Sequence, residues 1–223
     1  MPGRTIPLGT GEYYHVFNRG VNKCSIFEST SCYKRCINQI NYYRHQKTPI
    51  KYSALIKLNY DIRQSIWDLV LKSNEKQVEI VAFCLMPNHF HFLLKQTIDQ
   101  GISKFMSKFQ NSYTRFYNTK NSRTGPLLTG KFQAVLIESD EQLLHVSRYI
   151  HLNPLVGGVV KGFKQLLSYK WSSLPDYYNK PGKSICGSEI VLNQFKSSSS
   201  YINFLYKQLA YAKELNYLKH LDT

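Results

Sequence analysis

The stretch from Val78 to Lys95 restricts the fold more than any other part of the chain. Two runs rich in β-branched, aromatic and other apolar residues flank the turn dipeptide Pro87-Asn88. That pattern predicts strands over 78–85 and 89–96 joined by a tight turn. The second strand opens with His89-Phe90-His91. Alternate side chains of a strand leave the same face, so His89 and His91 point together and Phe90 points the other way. Two adjacent imidazoles are half of a metal site. Alone, the pair suits an inert strand end equally well.

The rest of the chain supplies elements to pack around this hairpin. Tyr13 to Asn18 reads as a strand, ended by Asn18-Arg19-Gly20. A helix is expected over 29–46, where Cys32, Cys36, Ile37, Ile40 and Tyr43 recur at helical spacing, and Pro49 closes it. Ile50 to Leu58 reads as a short strand or loop, and 60–73 as a helix with Ile62, Ile66, Leu69 and Val70 on one face. Together, 47–76 look like an insertion ahead of the hairpin. A helix over 99–118 follows, with Ile102, Phe105, Met106, Phe109, Tyr113 and Phe116 on its apolar stripe. After a loop at 121–126 come a strand, Lys131 to Ile137, and a helix begun by Ser139 or Asp140 and ending near Asn153-Pro154. Beyond the linkers Gly157-Gly158 and Lys180-Pro181-Gly182, helical patterns occupy 187–195 and 200–219. This order predicts an α+β fold: a small antiparallel sheet with helices packed on one face, and a helical C-terminal extension from 176. Residues 1–175 form the expected main domain.

Charge narrows the partner. Lys and Arg total 29 against 14 acids, a formal net charge of +15. Such an excess points to a polyanion, most often nucleic acid. The 17 Tyr offer stacking faces for unpaired bases, although most belong in a core. The five Cys (24, 32, 36, 84 and 186) are odd in number and match no secreted disulfide framework. They read as reduced cysteines of a cytosolic protein. Met1-Pro2-Gly3-Arg4 leads into polar sequence, so no secretory leader is expected. No apolar run approaches the ~20 residues that cross a bilayer. A Gly-rich loop followed by Lys-Ser or Lys-Thr is absent, so no nucleotide cofactor is expected.

A partner for the His pair lies on the helix that starts near 140. Tyr149 and Asn153 are four residues apart and share one helix face. The Asn153 amide could complete a metal site with two imidazoles and leave positions open for substrate oxygens. Tyr149 would then stand beside that ion. A phenol titrates near 10 and is a poor nucleophile until something favours its phenolate, which a divalent cation does. Tyr113 and Tyr117 are rivals on the preceding helix, but Tyr113 has Tyr117 four residues on and Tyr117 has Asn121, already in the loop. They read as core or DNA-facing aromatics. His151 is turned about 200° from Tyr149 on a helix and reads as a supporting or surface group. His15 reads as core or DNA-facing.

Several segments as a set resemble the HUH single-tyrosine transposases, in particular the branch of REP-associated tyrosine transposases. They are Tyr14-His15-Val16-Phe17-Asn18-Arg19-Gly20, Leu85 to Leu94, Arg123-Thr124-Gly125-Pro126-Leu127, Gly130-Lys131-Phe132, Tyr149-Ile150-His151-Leu152-Asn153-Pro154 and Tyr169-Lys170-Trp171-Ser172-Ser173. The likeness spans roughly residues 13–175. It implies a ferredoxin-like or RRM-like sheet and a metal-dependent attack by tyrosine on single-stranded or hairpin DNA. The products would be a 5′-phosphotyrosine link and a free 3′-hydroxyl. By position, His89 and His91 match the metal ligands, Tyr149 the nucleophile, and Asn153 the third ligand, which is Gln in some relatives. The implied ion is Mg²⁺ or Mn²⁺. Arg19, Lys23, Arg115, Lys120, Arg123 and Lys131 are the DNA-binding candidates, being the cations that border this end of the sheet. The resemblance implies a bacterial cytoplasmic protein, nucleoid-associated when bound to DNA, and a monomer or homodimer. Two rival readings remain: a non-catalytic module for hairpin DNA or RNA, and a phosphodiesterase that uses water.

Overall fold

A computed structural model describes residues 7–179, 184–207 and 209. The linker Lys180-Pro181-Gly182 and most of the expected last helix beyond 207 lie outside the described residues. The elements are β1 (Tyr13–Arg19), α1 (Thr30–Tyr43), α2 (Tyr52–Leu55), α3 (Tyr60–Lys72), β2 (Val78–Met86), β3 (His89–Gln96), α4 (Gly101–Lys120), β4 (Gln133–Ile137), α5 (Asp140–Val156), α6 (Phe163–Leu167), α7 (Leu174–Asn179), α8 (Glu189–Leu192) and α9 (Ser198–Lys207). The strands form one antiparallel sheet in the order β2-β3-β1-β4. The expected α+β class and central hairpin are both present.

Period-two alternation gives the sheet two apolar faces. On one, Phe90 and Phe92 meet Phe109 of α4 at ring separations of 5.4 and 5.8 Å. α1 packs against α4 in the same layer, around Cys36, Ile40 and Phe105. Each ring buried this way contributes about 1.5–3 kcal/mol. The other face carries Ala82, Cys84, Met86 and Leu93, and α5 covers it with Leu143, Ile150 and Leu155. Helices therefore occupy both faces, where the sequence pattern suggested one. The second layer was hidden because α5 has a weakly segregated apolar pattern, being buried against the sheet on one side and α6 to α9 on another.

Local details depart from expectation for identifiable reasons. Ile50 to Leu58 contains the single helical turn α2, with Tyr52 and Leu55 buried, rather than a strand. In α3 the apolar stripe is rotated: Val70 is buried and Trp67 packs on the core, while Ile62 and Leu69 are 50% and 60% exposed. α5 runs through Pro154 to Val156. Proline removes only its own N–H, and the Gly157 amide still closes the last turn on the Asn153 carbonyl at 2.8 Å. Asn153 thus lies inside the helix, not at its end. Gly20 is required by close approach, since a Cβ there would lie 2.3 Å from the Cys24 carbonyl oxygen. Among the described residues, no helix is long and apolar enough to cross a membrane.

α5 is tied down by a buried hydrogen-bond chain. The Phe83 amide donates to Ser173 Oγ at 2.8 Å, and that hydroxyl lies 2.8 Å from His151 Nε2. His151 Nδ1 lies 2.7 Å from the Tyr201 hydroxyl, which donates to Ser147 Oγ at 3.2 Å. Ser147 donates in turn to the Leu144 carbonyl at 2.8 Å. With His151 neutral, accepting at Nε2 and donating from Nδ1, one direction runs through the whole chain, and Ser173 Oγ has the Phe83 carbonyl at 3.3 Å as a second acceptor. His151 is fully buried rather than a surface group, and desolvation pushes its pKa down to about 3. An unfolded histidine titrates near 6.5. The contribution is therefore complete above that value and lost as pH falls toward 3, at a limit of about 1.4 kcal/mol per pH unit. A His151→Gln variant should be less stable at pH 7 and show a flatter fall in urea-unfolding stability between pH 6 and pH 4. An unchanged slope would contradict this assignment.

Candidate functional site

The site forms at the end of the sheet where β2 turns into β3. Cross-strand register sets Arg19 opposite His89 and Phe17 opposite His91. His15, two residues back along β1, shares their face. The helix over that face is α5, and its Tyr149 ring meets the His91 ring edge-on at 5.4 Å and the His15 ring at 5.7 Å. Tyr149 remains 49% exposed, so one side of the ring is open to solvent. Asn153 donates from Nδ2 to the Tyr149 carbonyl at 2.8 Å, and its amide is near enough to the His89 ring and the Tyr149 phenol to shift the titration of both. The structure thus brings together His89, His91, Tyr149 and Asn153.

Hydrogen bonds orient the two imidazoles. His89 Nδ1 lies 2.6 Å from Asn88 Oδ1, an obligate acceptor, so in the neutral ring Nδ1 carries the proton and Nε2 the lone pair. His91 Nδ1 lies 2.9 Å from His15 Nε2. Burial lowers the pKa of His89 and holds His91, only 5% exposed, well below the usual range. Burial also takes His15 down to about 4. Three neutral rings at neutral pH are ring nitrogens ready to coordinate rather than repelling cations. For Tyr149, burial pushes the phenol above its ordinary value and the contact with Asn153 pulls it part of the way back.

The donor set fits a divalent ion. Two neutral imidazoles on β3 and one amide on α5 lie at this end of the sheet, each with its other polar atom engaged. Among the described residues no group of three His, Cys, Asp or Glu side chains is placed to hold a metal ion, so the candidate set is a mixed one. Such a set leaves coordination positions for substrate oxygens.

The six candidate DNA-binding cations fall into two groups. Arg19 ends β1 beside His89, and Lys23 follows in a left-handed conformation, its carbonyl accepting from Asn88 Nδ2 at 3.3 Å. Lys131 emerges where the chain runs alongside β1, the Thr129 amide donating to the Arg19 carbonyl at 2.9 Å. These three border the site. Arg115 and Arg123 line a shallow cleft with Asn111, Asn118 and Ser122 on the outer side of α4. Arg123 is committed to its own loop, donating to Asn118 Oδ1 at 3.0 Å and the Pro126 carbonyl at 2.7 Å. Lys120 donates to Ser29 and Ser31 hydroxyls at 2.8 and 3.0 Å, joining α4 to the start of α1. Two residues at the site carried little sequence signal. Asn88 looked like a turn residue, and His15 could be placed only once the β1–β3 register was known.

A family model described as Transposase IS200 like matches residues 36–153, more than half of the chain. The chain is therefore a DNA transposase by family. It belongs to the IS200-like transposases, the HUH single-tyrosine class that its motifs resemble. No curated protein matches it. Among solved structures it is similar to a REP-associated tyrosine transposase bound to a REP hairpin, at 16% identity and a TM-score of 0.53, over 83% of this chain and 89% of that one. It also matches a protein from Deinococcus radiodurans R1 described as a transposase, at 18% identity and a TM-score of 0.28, over 67% of this chain and 95% of that one.

The rival tyrosines are structural. Tyr113 is 1% exposed and donates to the Ile26 carbonyl at 2.5 Å, and Tyr117 donates to the Ser25 carbonyl at 2.9 Å. Tyr113→Phe leaves that buried carbonyl unpaired and should cost about 1–3 kcal/mol in urea unfolding. Tyr149→Phe, with a half-exposed ring, should cost less than about 0.5 kcal/mol. Equal costs would contradict the division between structural and site tyrosines.

Proposed function

We propose that the protein is a divalent-metal-dependent strand transferase that cuts and rejoins single-stranded or hairpin DNA through a covalent tyrosine link. The observation that carries this reading is the convergence, within one chain, of Tyr149 with the neutral pair His89 and His91 and with Asn153. Hairpin DNA is the favoured substrate because the similar REP-associated transposase was solved with a REP hairpin and because this chain carries a net charge of +15.

His89 Nε2, His91 Nε2 and Asn153 Oδ1 would hold the ion. When bound, Mg²⁺ or Mn²⁺ supplies charge that favours the phenolate and polarises the phosphate. The Tyr149 oxygen loses its proton to solvent through the exposed side of the ring and attacks phosphorus. A phosphorus–oxygen(Tyr149) bond forms and the bond to the 3′ oxygen breaks; that oxygen takes a proton from water and leaves as a free 3′-hydroxyl. The 5′-phosphotyrosine conserves the energy of the broken ester, so rejoining needs no nucleotide cofactor. Arg19 and Lys131 hold neighbouring phosphates and set position rather than sequence. Because Tyr149 packs on the His pair of its own chain, one protomer holds a full set of groups, which favours a monomer acting in cis.

A denaturing gel of the protein with single-stranded hairpin DNA and Mn²⁺ tests this reading. Wild type should give a covalent adduct, and Tyr149→Phe should give none while retaining the DNA in a native gel to within about twofold. Absence of adduct from wild type supports a non-catalytic binding module; cleavage that survives Tyr149→Phe supports a water-using phosphodiesterase. Separately, Arg19→Ala and Lys131→Ala should each reduce the slope of log affinity against log salt by about 0.7–0.9. An unchanged slope would remove either residue from the DNA contact.

A further inference from the structure

His15 lies outside the expected ligand set, yet it makes one of the few direct side-chain hydrogen bonds at the site. It sits on the central strand β1, pairing with Leu93 on one side and Val135 on the other, so its backbone position is fixed by two neighbours. Its ring lies 5.1 Å from the His91 ring, the two being 24° from parallel, and Nε2 is 2.9 Å from His91 Nδ1. Two neutral ring nitrogens at that distance can bond only if one carries a proton and the other a lone pair. Which one carries it decides whether His91 can act as a ligand. The free nitrogen of His91 is Nε2, and a neutral imidazole coordinates through Nε2 only when its proton is on Nδ1.

We propose that His15 is a positioning residue that accepts the Nδ1 proton of His91 and so holds His91 in the tautomer with Nε2 free for the ion. Asn88 does the same for His89 through its amide oxygen, at 2.6 Å. The two ligands are thus prepared by different acceptors, one on the hairpin turn and one on the neighbouring strand. His15 also meets the Tyr149 ring edge-on beside His91, so the bonded His pair and the tyrosine share one contact surface. The inference rests on the proposed metal site for its consequence, but the tautomer itself is a property of the metal-free protein.

The test uses the full chain without metal. Nitrogen-15 correlation spectra of the histidine rings should show His91 protonated at Nδ1 and bare at Nε2 in wild type. His15→Phe, which keeps a ring but removes the acceptor, should shift His91 to the other tautomer or to a mixture. His15→Gln, whose side-chain oxygen can reach the same point, should retain the wild-type tautomer. Mn²⁺ titrated calorimetrically should then bind about 10–100-fold more weakly to His15→Phe and within about threefold of wild type to His15→Gln. A wild-type spectrum with the proton on Nε2 of His91 overturns the proposal, as does a His15→Phe variant with unchanged tautomer and Mn²⁺ affinity. If His15→Phe fails to fold, the wild-type spectrum and the Gln variant still decide. If wild type binds no Mn²⁺ while its spectrum shows the Nδ1 proton, the metal reading fails and the His15–His91 assignment stands.

Discussion

The antiparallel pairing of β1 with β3 is the constraint on which the rest of the site depends. Its register puts Arg19, Phe17 and His15 along the same line as His89 and His91. A slip of one residue would send one set of side chains to the opposite face, where Phe90 and Phe92 hold the α4 layer. The apolar demand of that second layer therefore enforces the position of the imidazoles. Core packing and site geometry are two consequences of one alternation.

The second requirement is that α5 stay over the His pair. Apolar contacts with the sheet hold its length, but at the site end its outward side chain, Tyr149, is half exposed above the polar His pair. The buried chain from Phe83 through Ser173, His151, Tyr201 and Ser147 meets that need from the other side of the helix. A directional chain has a defined rotation for each member, so it fixes the roll of α5 as well as its distance. His151 comes two positions after Tyr149, and the helical twist sends one to the anchor and the other to the site.

Much of this was legible in the sequence, and the failures have physical causes. The hairpin announced itself because two apolar runs met at Pro87-Asn88, and the facing of His89 and His91 followed from strand period alone. That Tyr149 and Asn153 share a helix face needed only helix period; their roles came from the resemblance. What could not be read was anything that depended on register between distant strands. His15 is 76 residues from His91, and nothing local reveals that their rings share a hydrogen bond. The rotated face of α3 and the single turn α2 escaped for a different reason. Both lie in a segment where tertiary contacts, through Tyr52, Trp67 and Val70, outvote a weak apolar pattern. The helix layer over the second sheet face was missed because α5 is apolar on more than one side.

The central claim is that Tyr149 itself becomes linked to DNA beside His89 and His91 of the same chain. Mass spectrometry of proteolysed adduct, formed with single-stranded hairpin DNA and Mn²⁺, tests this most directly. The account predicts a nucleotide attached through a 5′-phosphate to the peptide that contains Tyr149, and its loss when His91 is replaced by Ala. A nucleotide carried by any other peptide, or one on Tyr149 that survives the loss of His91, would contradict it.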